Sequence, residues 1–283
     1  MKAKKSLGQN FLINPKIAER IAFEADISKK DTVLEIGPGT GNLTKYLLTR
    51  AKRVIAVEKD DNLIKELTKK FKKEIEEKKL VLINDDILKF NIQKIDCKFF
   101  GNYKLIANIP YNITGAILKK FLSEKNKPES MTLMIQKEVA ERIMARDGKE
   151  SLLSISVKAY GEPKILFKVS RGNFYPSPKV DSAVITIKNI SRKLFVEALQ
   201  TVQSRTLHSL HSLHGSLYGV YDLSLEKFEE KFWEIVRAGF AHKRKKLSSN
   251  LKNLISSTLR QDLENKRAEE LTLKDWIDLA KML

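Results

Sequence analysis

Cysteine is almost missing from the chain: Cys97 stands alone. A single thiol excludes an intramolecular disulfide and any zinc site built on paired thiolates, and such usage fits a reducing cytoplasm. Long apolar runs are missing as well. None approaches the roughly 20 residues that cross a bilayer, and the basic opening MKAKKSLGQNFLINPK has no apolar stretch behind it to serve as an export signal. A cytoplasmic protein with no membrane partner is therefore expected. Acid is scarce relative to base, with 35 Asp and Glu against 53 Lys and Arg and a net charge of +18. That excess points to a polyanionic partner, nucleic acid before an anionic membrane surface, because neutralising phosphates releases counterions. The alternative is a merely well-solvated, Lys-rich surface.

What is present is an ordinary globular mixture, 42% hydrophobic and 31% charged over 283 residues, enough for a large domain plus a small one. Short apolar, β-branched runs recur (TVLEIG, VIAVE, LVLIND, KLIANI, MTLMIQ, SISVKAY, AVITIK), with helix-periodic segments such as DNLIKELTKKFKKEI between the early ones. That alternation predicts an α/β fold with a mostly parallel sheet. The last two runs flank the Pro-containing loop GNFYPSPKVD and are expected to pair antiparallel. After about Lys188 the pattern is helical.

VLEIGPGTGNL reads as strand, glycine turn and helix start, with Gly37, Gly39 and Gly41 spaced G-x-G-x-G. Glycines there let the backbone turn sharply and approach a ligand. The nicotinamide fingerprint wants G-x-G-x-x-G, and its third slot here is Asn42. The second strand ends on Glu58, placed to take hydrogen bonds from ribose hydroxyls. The third is followed by Asp85 and Asp86, which either accept from an adenine amine or cap the next segment. These elements converge on a nucleoside-sized cofactor, and periodicity alone does not tell S-adenosylmethionine from a dinucleotide.

NIPY, Asn108 to Tyr111, follows the fourth strand. The amine of an aromatic base is a weak nucleophile, so its N–H groups need acceptors that favour pyramidal nitrogen. Asn108 offers a side-chain carbonyl, Ile109 a backbone carbonyl, Pro110 a stiff turn and Tyr111 a stacking surface. The alternative is a plain β-turn with Tyr111 in the core.

Taken together, KKSLGQNFL, EIGPGTGNLT, VIAVEKD, NIPYNIT, IQKEVAERI, FYPSPKVDSAVI and FAHKRKKLSSNLK resemble, in order and nearly end to end, the rRNA adenine N6-dimethyltransferase family, in particular its small-subunit branch. The resemblance implies a Rossmann-like class I S-adenosylmethionine-dependent methyltransferase sheet with a smaller C-terminal helical domain. It implies Asn10, Leu12, Gly37, Gly39, Glu58, Asp86 and Asn108 at the cofactor, and Asn108, Ile109, Pro110 and Tyr111 at the target adenine with Phe174 stacking from the other side. The reaction implied is transfer of two methyl groups to each of two adjacent adenosines near the 3′ end of small-subunit rRNA. The large-subunit adenine methyltransferases are the nearest rival. A non-catalytic assembly factor and a nicotinamide oxidoreductase fit the intact motifs less well.

The expected domains are 1–189, catalytic, and 226–283, helical, with a linker or insertion at 190–225. Residues 1–189 carry 37 Lys and Arg against 23 Asp and Glu, so the catalytic part is expected to face most of the phosphates, through Lys4, Lys5 and Lys179. Lys243, Arg244, Lys245 and Lys246 add a patch in the helical domain. The family joins its domains with less sequence, so LHSLHSLHG stands out. His208, His211 and His214 fan around a helix axis and do not close easily on one metal; no metal is expected. A monomer is expected.

Overall fold

Strands buried on both faces need near-continuous apolar runs, and the runs of the first half supply them. The computed structural model describes Lys4, residues 7–91, 102–207 and 217–254, Leu263 and residues 265–282. In chain order the elements are β1 (Phe11–Leu12), α1 (Pro15–Glu24), β2 (Thr32–Ile36), α2 (Thr44–Arg50), β3 (Arg53–Glu58), α3 (Asp61–Lys70), α4 (Lys72–Glu76), β4 (Leu80–Asn84), β5 (Tyr103–Asn108) and α5 (Thr114–Ser123). There follow β6 (Ser130–Gln136), α6 (Lys137–Met144), α7 (Leu152–Lys158), β7 (Glu162–Val169), β8 (Phe174–Tyr175), β9 (Ser182–Lys188), α8 (Lys193–Leu207), α9 (Leu217–Gly239), α10 (Leu247–Leu251) and α11 (Leu273–Ala280).

The chain forms two compact units, Met1–Met144 with Gly161–Ile190, and Ala145–Tyr160 with Ser191–Leu283. The first holds a seven-stranded sheet in the order β4-β3-β2-β5-β6-β9-β7. Strands β4 to β6 are parallel, and β9 runs antiparallel to both β6 and β7. One face of the sheet packs Ala18, Ile21 and Ala22 of α1 and Leu47 and Leu48 of α2 against Val33, Val54 and Ile106. A second, two-stranded ribbon pairs β1 with β8, Phe11 opposite Tyr175 and Leu12 opposite Phe174.

Two expectations are corrected. SISVKAY is not a strand. It supplies most of α7, nucleated by a capping box in which the Ser151 and Ser154 side chains satisfy each other's backbone N–H. The antiparallel partner of AVITIK is instead EPKILFKV, β7, at the edge of the sheet, where Pro163 costs least. Residues 190–225 are likewise not all linker, since Phe195, Ala198 and Leu199 are buried at helical spacing on α8.

In the second unit Tyr160, Phe195, Phe232 and Trp233 form an aromatic cluster. The Tyr160 hydroxyl donates to buried Glu229 and accepts from Trp233 Nε1 at 3.0 Å, and Arg192 pairs with Glu229 at 3.1 Å. His208, His211 and His214 lie outside the described residues. Among the described residues no helix is long and apolar enough to cross a membrane.

Candidate active site

The carboxyl ends of β2, β3, β4 and β5 meet along one edge of the parallel sheet, the edge where open α/β folds bind ligands. A cavity there is lined by Leu7 to Leu12, the glycine turn from Gly37 to Thr40, Glu58, Lys59, Asp86 and Asn108 to Ile113. Every expected cofactor residue, Asn10, Leu12, Gly37, Gly39, Glu58, Asp86 and Asn108, lines it.

Gly37 follows β2 with φ +62°, and a Cβ built on it meets nothing within 4 Å. The backbone is therefore bare toward the cavity, as a close-lying ligand requires. Gly39, at φ +59°, is different, because a Cβ there stands 3.1 Å from the Phe11 ring. Its glycine lets the N-terminal segment lie over the turn.

Glu58 is buried at the end of β3. Its Oε1 accepts from the Lys59 and Asp60 backbone N–H groups, both at 2.9 Å, and its Oε2 from Gly39 N–H at 3.2 Å. Burial pushes its carboxyl above the usual range, the three backbone donors oppose that, and the Asp60 charge adds to it. A carboxylate has about four lone-pair sites, so one on Oε2 is left for a ligand hydroxyl. Asp86 lines the cavity, and its Oδ1 accepts from Leu88 N–H at 3.0 Å, the local capping bond. Its bond with Lys59, at 2.9 Å, holds its pKa below the ordinary carboxylate value, and the Leu88 N–H adds to this.

Asn108 closes β5, and its Nδ2 donates to the Asn10 backbone carbonyl at 3.2 Å. That bond commits the amide nitrogen and leaves the side-chain carbonyl to accept. The Ile109 N–H is tied to Met134 O, and Tyr111 shares a hydrogen bond with Ser182 of β9 at 2.7 Å that fixes its ring. Burial raises the Tyr111 pKa, which the Ser182 bond opposes and the nearby Asp181 charge reinforces.

Phe174 is placed differently from the expectation. It is 3% exposed and packs with Leu12, Met134 and Val184 in the core, outside the cavity wall. The physical reason is ribbon alternation: Leu12 and Phe174 share the inward face, so Tyr175, 62% exposed, is the aromatic that faces out. Lys4 forms a 2.7 Å ion pair with Asp60. Lys5 lies outside the described residues. Lys179 is exposed in the first unit, and Lys243, Arg244, Lys245 and Lys246 are exposed in the second.

Sequence reading missed the clasp around the N-terminal segment. Asn42 Nδ2 donates to Leu12 O at 2.7 Å, and Gln9 and Lys4 both reach Asp60. The only hint was Asn42 standing in a slot where a dinucleotide loop has glycine.

Residues 1–211 match the model of the ribosomal RNA adenine dimethylase family. A ribosomal RNA small subunit methyltransferase A of Dehalococcoides mccartyi (strain CBDB1) is 40% identical over 98% of this chain and 87% of its own length. Among solved structures, a dimethyladenosine transferase from Plasmodium falciparum is 27% identical with a TM-score of 0.70, covering 95% of each chain. The 23S rRNA methyltransferase ErmE is 24% identical with a TM-score of 0.69 over 97% of this chain and 99% of its own, a likeness of fold alone. The sheet is thus the Rossmann-like sheet of class I methyltransferases, and the chain belongs to the ribosomal RNA adenine dimethylase family.

Proposed function

We propose that the chain transfers methyl groups from S-adenosylmethionine to N6 of two adjacent adenosines near the 3′ end of small-subunit rRNA, giving N6,N6-dimethyladenosine in the course of small-subunit biogenesis. The single observation that carries the chemistry is the Asn108 amide, turned by the Asn10 carbonyl so that its oxygen is free at the cavity wall. The small-subunit assignment follows the name of the relative at 40% identity.

The residues present fit the cofactor. Gly37 leaves bare backbone, Glu58 retains one acceptor site, and Asp86 and Lys59 line the same cavity. When bound, S-adenosylmethionine supplies the electrophilic methyl group. Asn108 Oδ1 and the Ile109 carbonyl accept from the adenine N–H groups, which favours a nucleophilic, pyramidal nitrogen, and the tethered Tyr111 ring offers a face for the base. No strong base is needed, since positioning supplies most of the effect. Asn108 is uncharged and need not hold both amine hydrogens, so a monomethylated adenine re-enters for a second transfer. We assign a cytoplasmic monomer, with residues 1–189 and the exposed Lys and Arg as its rRNA-facing part.

The test is to supply labelled S-adenosylmethionine with small ribosomal subunits lacking adenine dimethylation and to map the label. We expect two adjacent dimethylated adenosines. Label found only in large-subunit RNA would overturn the assignment.

A further inference from the structure

One carboxyl in the cavity wall has no part in the scheme above. Glu35, the penultimate residue of β2, is 1% exposed and lines the cavity with Gly37 and Glu58. Its Oε2 is buried and has no hydrogen-bond partner among the described residues. The Thr44 hydroxyl of α2 lies beside it without forming a well-aligned bond. The charged group that bears on it is Glu58 of β3, another acid. Across β5 its register partner is Ile106, and the glycine turn that follows carries no charge. Burial pushes the Glu35 carboxyl up to about 8, the Thr44 hydroxyl opposes this and the Glu58 charge adds to it. An ionised carboxylate held out of water with no donor or cation is among the costliest groups in a protein. Such a group keeps its proton until a cation arrives.

We propose that Glu35 couples cofactor binding to proton release: protonated in the cofactor-free protein, it ionises when the α-ammonium of S-adenosylmethionine enters the cavity, and its proton passes to solvent. This rests on the cofactor reading given above. One O–H bond breaks at Glu35, the carboxylate formed pairs with a cation that keeps its own protons, and the buffer takes the proton. The ammonium is chosen over the sulfonium because Glu35 is set back from the reacting end. Its register partner Ile106 lies two residues before Asn108, roughly 6.6 Å along the strand. Binding then strengthens as pH rises toward 8, by at most about tenfold per unit, and stops strengthening there, because the free protein has lost the proton and the ligand's own ammonium is losing its charge.

Titration calorimetry of the full chain at pH 6.5, in buffers of different ionisation enthalpy, tests this, because a free α-amino group of pKa about 7.7–8.0 stays protonated there. About one proton should leave on binding S-adenosylmethionine or S-adenosylhomocysteine, and none on binding 5′-methylthioadenosine, which lacks the amino-acid end. Glu35→Gln should bind S-adenosylmethionine without linked release. Buffer-independent heats with S-adenosylmethionine would overturn the proposal, as would equal release with methylthioadenosine or undiminished release in a folded Glu35→Gln. The comparison of ligands on the unaltered chain decides the matter even if that variant does not fold. Failure of all three ligands to bind folded protein would instead overturn the cofactor reading, and the proposal with it.

Discussion

Asn108 depends on a neighbour 98 positions away, since the Asn10 carbonyl holds its amide nitrogen. Asn108→Ala removes the acceptor but leaves the glycine turn and Glu58 in place. We expect single-turnover methyl transfer to fall about 10²–10³-fold while calorimetric cofactor affinity changes by less than about tenfold; unchanged turnover would make NIPY a structural turn. Glu35 bears on stability as well as binding. Its carboxyl titrates at 4.5 ordinarily and at about 8 in the fold, so the stability it contributes is complete below pH 4.5 and is lost as pH rises toward 8. Between pH 4.5 and 7, urea melts should show the cofactor-free protein losing up to about 3 kcal/mol relative to Glu35→Gln. Parallel profiles would mean that Glu35 ionises freely. At this scale the sequence was legible for backbone position, with Gly37 at φ +62° after β2 and Glu58 ending β3. It was read poorly at FYPSPK, because which of two adjacent aromatics faces the core depends on pairing with β1, a partner more than 160 positions away.

Among the elements, the parallel strands were legible because burial on both faces leaves little room for polar residues. Helix α7 was not. Ile155 and Val157 alternate as a strand would, and the capping box at Ser151, a local hydrogen-bond pattern, decides the matter. Ser151→Ala should therefore cost about 1 kcal/mol, read as faster amide exchange across residues 152–158 and a lower melting transition. A silent substitution would place the helix under tertiary control alone. The same helix explains why the domain boundary was hard to see: residues 145–160 belong to the helical unit although the last two strands of the sheet come after them. A boundary read from the end of the strand signal passes over such an excursion.

For the whole molecule, the surplus of base is the property that needs an experiment. If the exposed Lys and Arg meet phosphates, log affinity for RNA should fall with log salt at about 0.7–0.9 per contact, and a flat dependence would overturn the interface. Individual residues should divide by what they already touch. Lys243→Ala and Arg244→Ala should each reduce the slope by about 1, whereas Lys4→Ala should barely move it, because Lys4 is already paired with Asp60; filter binding across a salt series separates the two outcomes. The ribbon of β1 and β8 also governs when the cavity can exist. Phe11 and Leu12 are translated well before Tyr175 and Phe174, their pairing partners. The nascent chain therefore carries Phe11 and Leu12 without their partner strand until most of the sheet has emerged. Contacts of such long sequence separation form late and slowly. The cavity is thus among the last parts of this unit to be completed during synthesis, and a chain stopped before residue 174 carries every glycine-turn and NIPY residue but lacks the strand that pairs with Phe11 and Leu12 of its wall.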